Sequence, residues 1–228
     1  MPFPFYKFKT SRYVSFTFDD GLINSANKID QIITPHKATF YIVTGWLRSS
    51  QFKIEDPPNI DFDHGDYDDW EKISDLGHEI GSHTLSHIDP TSQEAQGEYQ
   101  ESLELIKQFS LGPYSLAMPR GLKPLSRPPY DSVRLCDGKK IHNSLKKIDF
   151  FNLISWDPVE VKLPTEQALK KIKQLPSNSW LILRGHGLDD EGYCPWPSDY
   201  LKKIIEFLQA EEIQIKTVAE MTLKFKKD

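Results

Sequence analysis

Residues 14–21, VSFTFDDG, constrain the fold more than any other stretch of this sequence. The first five positions are rich in aromatic and β-branched side chains, which predicts a buried β-strand. Two adjacent carboxylates, Asp19 and Asp20, follow where the strand ends, and Gly21 then lets the backbone turn. A buried carboxylate needs a cation, a hydrogen-bond donor or a proton, so the pair indicates a functional strand end. An ordinary polar turn would show the same three letters.

A second chemical cluster lies in residues 77–87, GHEIGSHTLSH. His83 and His87 are four positions apart, a spacing that would place both rings on one side of a helical turn. Two imidazoles and a carboxylate from elsewhere in the chain form a ligand set for a divalent metal with room for water. Two surface histidines at a helix start are the simpler interpretation. The acidic strand end upstream favours the metal site.

The remaining pattern predicts an α/β protein with a parallel sheet, because a helix separates two buried strands. Apolar residues at Ile23, Ala26, Ile29 and Ile33 define one helix face, and residues 38–43 form the second strand. Further strands are predicted at residues 115–118, 150–155, 180–183 and 213–218. Helices are predicted within residues 91–111, 139–148, 165–175 and 198–208. Residues 48–69 and 121–138 are predicted to be loops.

Composition narrows the class of protein. The chain has 228 residues, which predicts one domain over residues 1–228. The net charge of −5 argues against general nucleic-acid binding. The sequence has no apolar run long enough for a membrane span, and its first residues lack the apolar core of a signal peptide, so we expect a cytoplasmic protein. The two cysteines, Cys136 and Cys194, are expected to be free thiols.

Residues 17–21 and 77–87 together resemble two motifs of the polysaccharide deacetylase family of carbohydrate esterases, the NodB homology domain. The resemblance implies a distorted or incomplete (β/α)7–8 barrel, similar to a TIM barrel. It implies hydrolysis of an acetyl group from an N- or O-acetylated carbohydrate. It also implies a divalent metal, usually zinc, and the nitrogen and oxygen ligands would accept cobalt or nickel as well.

The same resemblance implies roles for individual residues. Asp20, His83 and His87 would hold the metal, and Asp19 would be the general base. His186 follows the strand at residues 180–183 and matches the family's late Leu-x-x-His element. An imidazole is suited to protonating the departing amine, so His186 is the candidate general acid.

Three further residues near strand ends are candidates. Leu183 would form part of an apolar wall around the acetyl methyl group. Trp156 and Asp157 stand at a strand end, as the family's tryptophan and aspartate do, although the spacing differs. Asp157 would orient His186 or tune its charge, and a polar strand terminus before Pro158 is an equally open interpretation.

The family's Arg-Pro-Pro-Tyr motif has two competing matches. Arg120 lies at the end of the strand at residues 115–118, whereas Arg127 begins a letter-for-letter match that ends at Tyr130. We expect Arg120 at the rim of the active site, because a strand end positions a side chain better than a long loop does. Arg127 and Tyr130 would then line an outer groove for the substrate.

Three functions remain open from the sequence. The first is a metal-dependent deacetylase acting on an acetylated sugar. The second keeps this chemistry but acts on a small non-sugar amide, because fold and motif do not fix the substrate. The third is a carbohydrate-binding relative without catalysis. The sequence leaves the sugar and the oligomeric state undetermined.

Overall fold

Strand β1, Arg12–Phe18, is the predicted buried strand, and it belongs to a sheet that closes on itself. The computed structural model describes residues 11–50, 62–136 and 140–226. Within these ranges, seven parallel strands form a closed barrel: β1, β2 (Thr39–Ile42), β3 (Glu79–Ser82), β4 (Ser115–Ala117), β5 (Ser132–Cys136), β7 (Leu153–Trp156) and β8 (Ser179–Gly185), which pairs back with β1. Outside the ring, β6 (Asn143–Ser144) is antiparallel to β8 and β9 (Gln214–Ile215) is parallel to β1. The predicted α/β barrel is confirmed.

Helices pack around this barrel. In the described residues they are α1 (Ile23–Ile33), α2 (Tyr67–Asp75), α3 (Ala95–Ile106), α4 (Thr165–Lys173), α5 (Ser198–Ala210) and α6 (Val218–Phe225), with 3₁₀ turns at Thr44–Trp46 and Pro119–Gly121. The predicted apolar face of α1 is fully buried against the sheet and α5. Such burial, rather than helix propensity alone, supplies most of the stability of a helix in a protein.

Several predicted elements differ from the structure. His83 and His87 follow β3 in a loop and not on a helix. Residues 121–138 contain β5, which the sequence analysis assigned to a loop, and the described part of the helix predicted at 139–148 contains β6 and turns instead. The final strand is only two residues long, and α6 follows it.

Some sequence expectations fall on residues that the structure does not describe. The first ten residues, which carry the expectation about a signal peptide, and residues 51–61 of the predicted polar loop lie outside the described residues. In the described residues no helix has both the length and the apolar character needed to cross a bilayer. Cys136 and Cys194 are free thiols, as expected.

A partly buried hydrogen-bond network around Glu79 joins α6 to the start of the barrel strands. The Glu79 carboxylate at the start of β3 accepts hydrogen bonds from Thr39 Oγ1 and from the Ala219 backbone N–H, both at 2.7 Å, and from the Ser115 hydroxyl. Ala219 lies in the first turn of α6, where backbone N–H groups lack partners within the helix. Glu79 therefore satisfies polar groups from two strands and one helix at once.

We predict that Glu79→Ala lowers the free energy of unfolding by about 2–4 kcal/mol, because three hydrogen-bond donors lose their acceptor away from solvent. Equilibrium urea denaturation measures the change. Glu206→Ala on the exposed side of α5 is the matched control and should change stability little. Equal effects of the two substitutions would show that the network contributes nothing.

Candidate active site

The two carboxylates emerge from β1 at the end of the barrel where the strands terminate. The Asp19 backbone N–H donates to Gly185 O at the end of β8, at 3.0 Å, which extends the strand pairing by one residue. Asp20 and Gly21 then both adopt left-handed backbone conformations with φ near 72°. A Cβ on Gly21 would lie 3.0 Å from the Ile42 Cβ, so this turn needs glycine. The turn separates the directions of the two adjacent carboxylates.

Asp19 forms a buried ion pair with Arg134, which lies on β5. Arg134 Nη2 is 2.5 Å from Asp19 Oδ1 and 2.6 Å from Oδ2, and Nη1 donates to Ser155 Oγ at 3.0 Å. Burial, the largest single influence, would raise the pKa of Asp19, but the Arg134 guanidinium together with His83, His186 and Arg184 outweighs it and lowers the pKa to about 2. Asp19 is therefore ionised throughout the physiological pH range.

Asp20, His83 and His87 bring three ligand atoms together. These atoms all lie within 4.8 Å of one another. Asp20 Oδ1 is 3.6 Å from His83 Nε2 and 4.0 Å from His87 Nε2. His83 Nδ1 lies 2.8 Å from Ala117 O, and because a carbonyl only accepts, Nδ1 carries the hydrogen and Nε2 keeps a free lone pair.

The loop after β3, rather than a helical turn, orients the two histidines. Thr84 and His87 have positive φ values of 71° and 60°, which fold the chain back toward Asp20. Ser86 fixes this path, because its backbone N–H donates to Glu98 Oε2 at 2.9 Å and its hydroxyl donates to the other carboxylate oxygen. Glu98 belongs to α3, so the loop is fastened to a helix.

The electrostatics of this triad fit a bound cation. Burial and the neighbouring Asp19 carboxylate raise the pKa of Asp20 to about 7. Burial lowers the pKa of His83 to about 3, so its ring is neutral at pH 7, as a metal ligand must be. A divalent cation would supply the positive charge that Asp20 lacks. Two imidazole nitrogens and one carboxylate oxygen match the ligand set of catalytic zinc sites.

An open cavity of about 530 Å³ lies over the triad. The residues that line it come from strand ends, 3₁₀ turns and loops, and besides Asp19, Asp20, His83 and His87 they are Trp46, Met118, Arg120, Gly121, Cys136, Glu160, Arg184, His186 and Tyr193. The volume is typical of sites for small ligands.

His186 contributes to the cavity from the loop after β8. Burial lowers the pKa of this imidazole to about 4, although the Asp19 carboxylate favours the charged ring. The ring is therefore neutral at pH 7 before substrate binds. Its Nδ1 is buried and has no hydrogen-bond partner among the described residues, and the edge-to-face contact with Tyr193 has ring centroids 5.3 Å apart.

Asp157 does not hydrogen-bond to His186 in the described structure. Its Oδ1 accepts from Trp196 Nε1 at 3.0 Å and from the backbone N–H groups of Val159 and Glu160. Burial raises the pKa of Asp157 to about 6. Trp196 belongs to the loop that carries His186, and its backbone N–H donates to Gly187 O at 2.9 Å. Asp157 thus contacts the His186 loop and not the ring.

Neither arginine from the two competing motif matches contacts Asp19. Arg120 lines the cavity rim, where its exposed side chain donates to Asp89 Oδ2 at 3.3 Å. Arg127 is outside the cavity, with its guanidinium carbon 3.6 Å from the centroid of the Phe151 ring. The position beside the carboxylate is filled by Arg134, which the sequence analysis missed.

Three residues that the sequence predicted to contact the substrate do not line the cavity. Tyr130 is buried, and its hydroxyl donates to Tyr99 O at 3.1 Å, so it does not line an outer groove. Leu183 is buried in the apolar cluster between sheet and helices, because alternate side chains of β8 point to opposite faces. Trp156 is half-buried against the same cluster and does not line the cavity.

Arg134 could have been found from the alternation in Ser132–Cys136, where Val133 and Leu135 flank it with the period of two that is typical of a strand. The prolines just before this segment obscured the pattern. Four other lining residues lie in a 3₁₀ turn, in loops or near a strand end, and nothing in their local sequence distinguishes them: Trp46, Glu160, Arg184 and Tyr193.

Comparison with known proteins identifies the family. Residues 7–124 match the family model described as polysaccharide deacetylase, and the chain belongs to this family. A search of curated proteins finds no match to the chain.

Solved structures show a similar fold. The Xyl-CE4 domain of a multidomain xylanase from the hindgut metagenome of Trinervitermes trinervoides superposes with a TM-score of 0.61 at 16% identity, covering 96% of this chain and 93% of that one. A family 4 acetyl xylan esterase from Clostridium thermocellum, in complex with cobalt, gives 0.55 at 16% identity, covering 94% and 92%. A CE4 family pseudoenzyme from Bacillus anthracis gives 0.54 at 14% identity, covering 93% and 66%.

A double-mutant cycle tests the buried ion pair. We predict that Arg134→Met lowers the free energy of unfolding by about 3–5 kcal/mol, because it leaves Asp19 buried without its partner. Adding Asp19→Leu should cost far less than Asp19→Leu does in the wild-type protein, a coupling of about 1–3 kcal/mol. Urea denaturation measures all four proteins.

Arg127→Met is the matched control for this cycle, because it removes an exposed guanidinium that stacks on the Phe151 ring and makes no ion pair with the described residues. Its effect should stay within about 1 kcal/mol. Strict additivity of the Arg134 and Asp19 substitutions would contradict the ion pair.

Proposed function

We propose that this protein is a metal-dependent hydrolase that removes an acetyl group from an acetylated carbohydrate. The observation that carries the proposal is the convergence of Asp20, His83 and His87 beside an ionised Asp19, in a cavity that His186 also lines. Zinc suits this ligand set best, and cobalt or nickel would also bind it. Family membership supports the acetylated carbohydrate as the class of substrate.

Hydrolysis of an acetyl group needs an activated water, stabilisation of the oxyanion and a proton for the leaving group. When bound, a divalent ion supplies a Lewis acid that polarises the acetyl carbonyl and lowers the pKa of water. This help matters because Asp19, with a pKa of about 2, is a weak base by itself. Its carboxylate orients the water through a hydrogen bond and takes the proton as the water attacks.

His186 is the proposed general acid. Its ring is neutral in the free site, so it first takes a proton from solvent, and the negative charge of Asp19 favours the protonated ring. The protonated imidazole then donates to the departing amine or alkoxide. After the reaction Asp19 returns to solvent the proton that it took from the attacking water.

Other residues would assist the reaction by position. Asp157 and Trp196 would position the loop that carries the His186 ring. The Arg120–Gly121 turn at the rim is the proposed neighbour of the oxyanion.

The substrate could also be a small non-sugar amide, because the same groups would hydrolyse it. A catalytically inactive carbohydrate-binding relative is the third candidate, and a pseudoenzyme stands among the similar structures. The joint presence of Asp19, Asp20, His83, His87 and His186 favours activity. Acetate release from chito-oligosaccharides and from a panel of small amides distinguishes these candidates.

Two substitutions separate metal binding from proton transfer. We predict that Asp20→Asn weakens zinc binding, because the triad loses its anionic ligand. His186→Ala should keep zinc bound and lower turnover by about 10²–10⁴-fold, as expected for the loss of a general acid. Elemental analysis and acetate release measure the two properties. Normal turnover of an unactivated amide by His186→Ala would exclude His186 from the reaction.

A further inference from the structure

His64 is a buried histidine that the proposed reaction does not use. Its Nδ1 lies 3.1 Å from Asp20 O and 3.2 Å from Gly21 O. Both neighbours are carbonyl oxygens that can only accept, so Nδ1 carries a hydrogen and donates to this turn. In the described structure Nε2 is buried without a partner, which costs free energy. Simple packing would be served better by an apolar side chain.

The turn that His64 contacts is conformationally demanding. Asp20 has a φ of 72°, in the left-handed region that residues other than glycine adopt rarely. Such a conformation persists only where the surroundings hold it. The direction of the Asp20 carboxylate toward His83 and His87 depends on this backbone conformation, because the side chain departs from the same Cα.

His64 is itself held firmly by its neighbours. Trp70 Nε1 on α2 donates to His64 O at 2.8 Å, and Ile23 N at the start of α1 donates to Asp63 O at 3.0 Å. The Trp46 ring contacts both His64 and His87, with ring-centroid distances of 5.0 Å to the first and 5.7 Å to the second. The donor therefore has a fixed position relative to the ligand triad.

We infer that His64 is a positioning residue of the metal site: its Nδ1–H holds the Asp20–Gly21 turn and thereby aims the Asp20 carboxylate at the metal. The inference rests on the metal site of the proposed function. Hydrogen bonds just outside a metal's ligands commonly affect affinity by 10–100-fold when they are lost. His64 differs from such groups because it hydrogen-bonds to the backbone of the ligand Asp20 and not to its side chain.

The test compares two side chains of similar size at position 64. Asn places an amide N–H near the position of the imidazole Nδ1, whereas Leu has no donor. We predict that His64→Leu weakens zinc binding by about 10–100-fold, whereas His64→Asn stays within about threefold of the wild-type protein. Competition with a chromophoric chelator gives the zinc affinity, and the absorption spectrum of bound cobalt reports the ligand geometry.

His78→Leu is the matched control, because His78 is also buried and makes two hydrogen bonds, to the Ala38 N–H and to Asp30, away from the triad. The His78→Leu protein should be less stable than the wild type and should keep the wild-type zinc affinity.

If His64→Leu does not fold, His64→Phe removes the donor and keeps a ring against Trp46. If the donor-free variant binds zinc as tightly as the wild type does, the positioning role of His64 is wrong and the proposed function still stands. Absence of zinc binding by the wild-type protein would overturn the proposed function instead.

Discussion

The site depends on two adjacent carboxylates, Asp19 and Asp20, buried at the end of β1. The two cannot be ionised at the same time there without compensating positive charge. The structure treats them differently: Asp19 receives the Arg134 guanidinium, and its pKa falls to about 2, whereas the pKa of Asp20 rises to about 7. Asp20 therefore retains a demand for positive charge that the described protein groups do not meet. On our proposal a divalent metal meets it, which explains why two neutral imidazoles converge on this carboxylate.

The barrel makes this arrangement possible because parallel strands end at a common edge. Three strands bring candidate functional residues to this edge. β1 carries the two carboxylates, β3 leads to His83 and His87, and β8 leads to His186. Arg134 reaches Asp19 from β5, across the inside of the closed sheet. The network around Glu79 lies at the starts of β2, β3 and β4, at the opposite end, so the candidate catalytic groups and these stabilising polar groups occupy different ends of the barrel, as in other α/β barrels.

The sequence predicted the features that are encoded locally. The period of α1 and the buried strands predicted an α/β fold with a parallel sheet, and the family resemblance of residues 17–21 and 77–87 implied the barrel and the metal-ligand candidates. Other features depend on tertiary contacts. His83 and His87 have helical spacing, yet positive φ values and a hydrogen bond to Glu98 bring them together in a loop. The sequence placed Arg120 at the active-site rim and Arg127 in an outer groove, whereas closure of the barrel brings Arg134 to the carboxylate.

The central claim is that the triad binds a metal that hydrolysis of an acetylated sugar requires. The most direct measurement is acetate release from an N-acetylated chito-oligosaccharide by protein that has been stripped with a chelator and then titrated with zinc. We predict that the stripped protein is inactive and that activity rises with zinc up to one equivalent. Full activity of a preparation shown by elemental analysis to contain no metal would contradict the account.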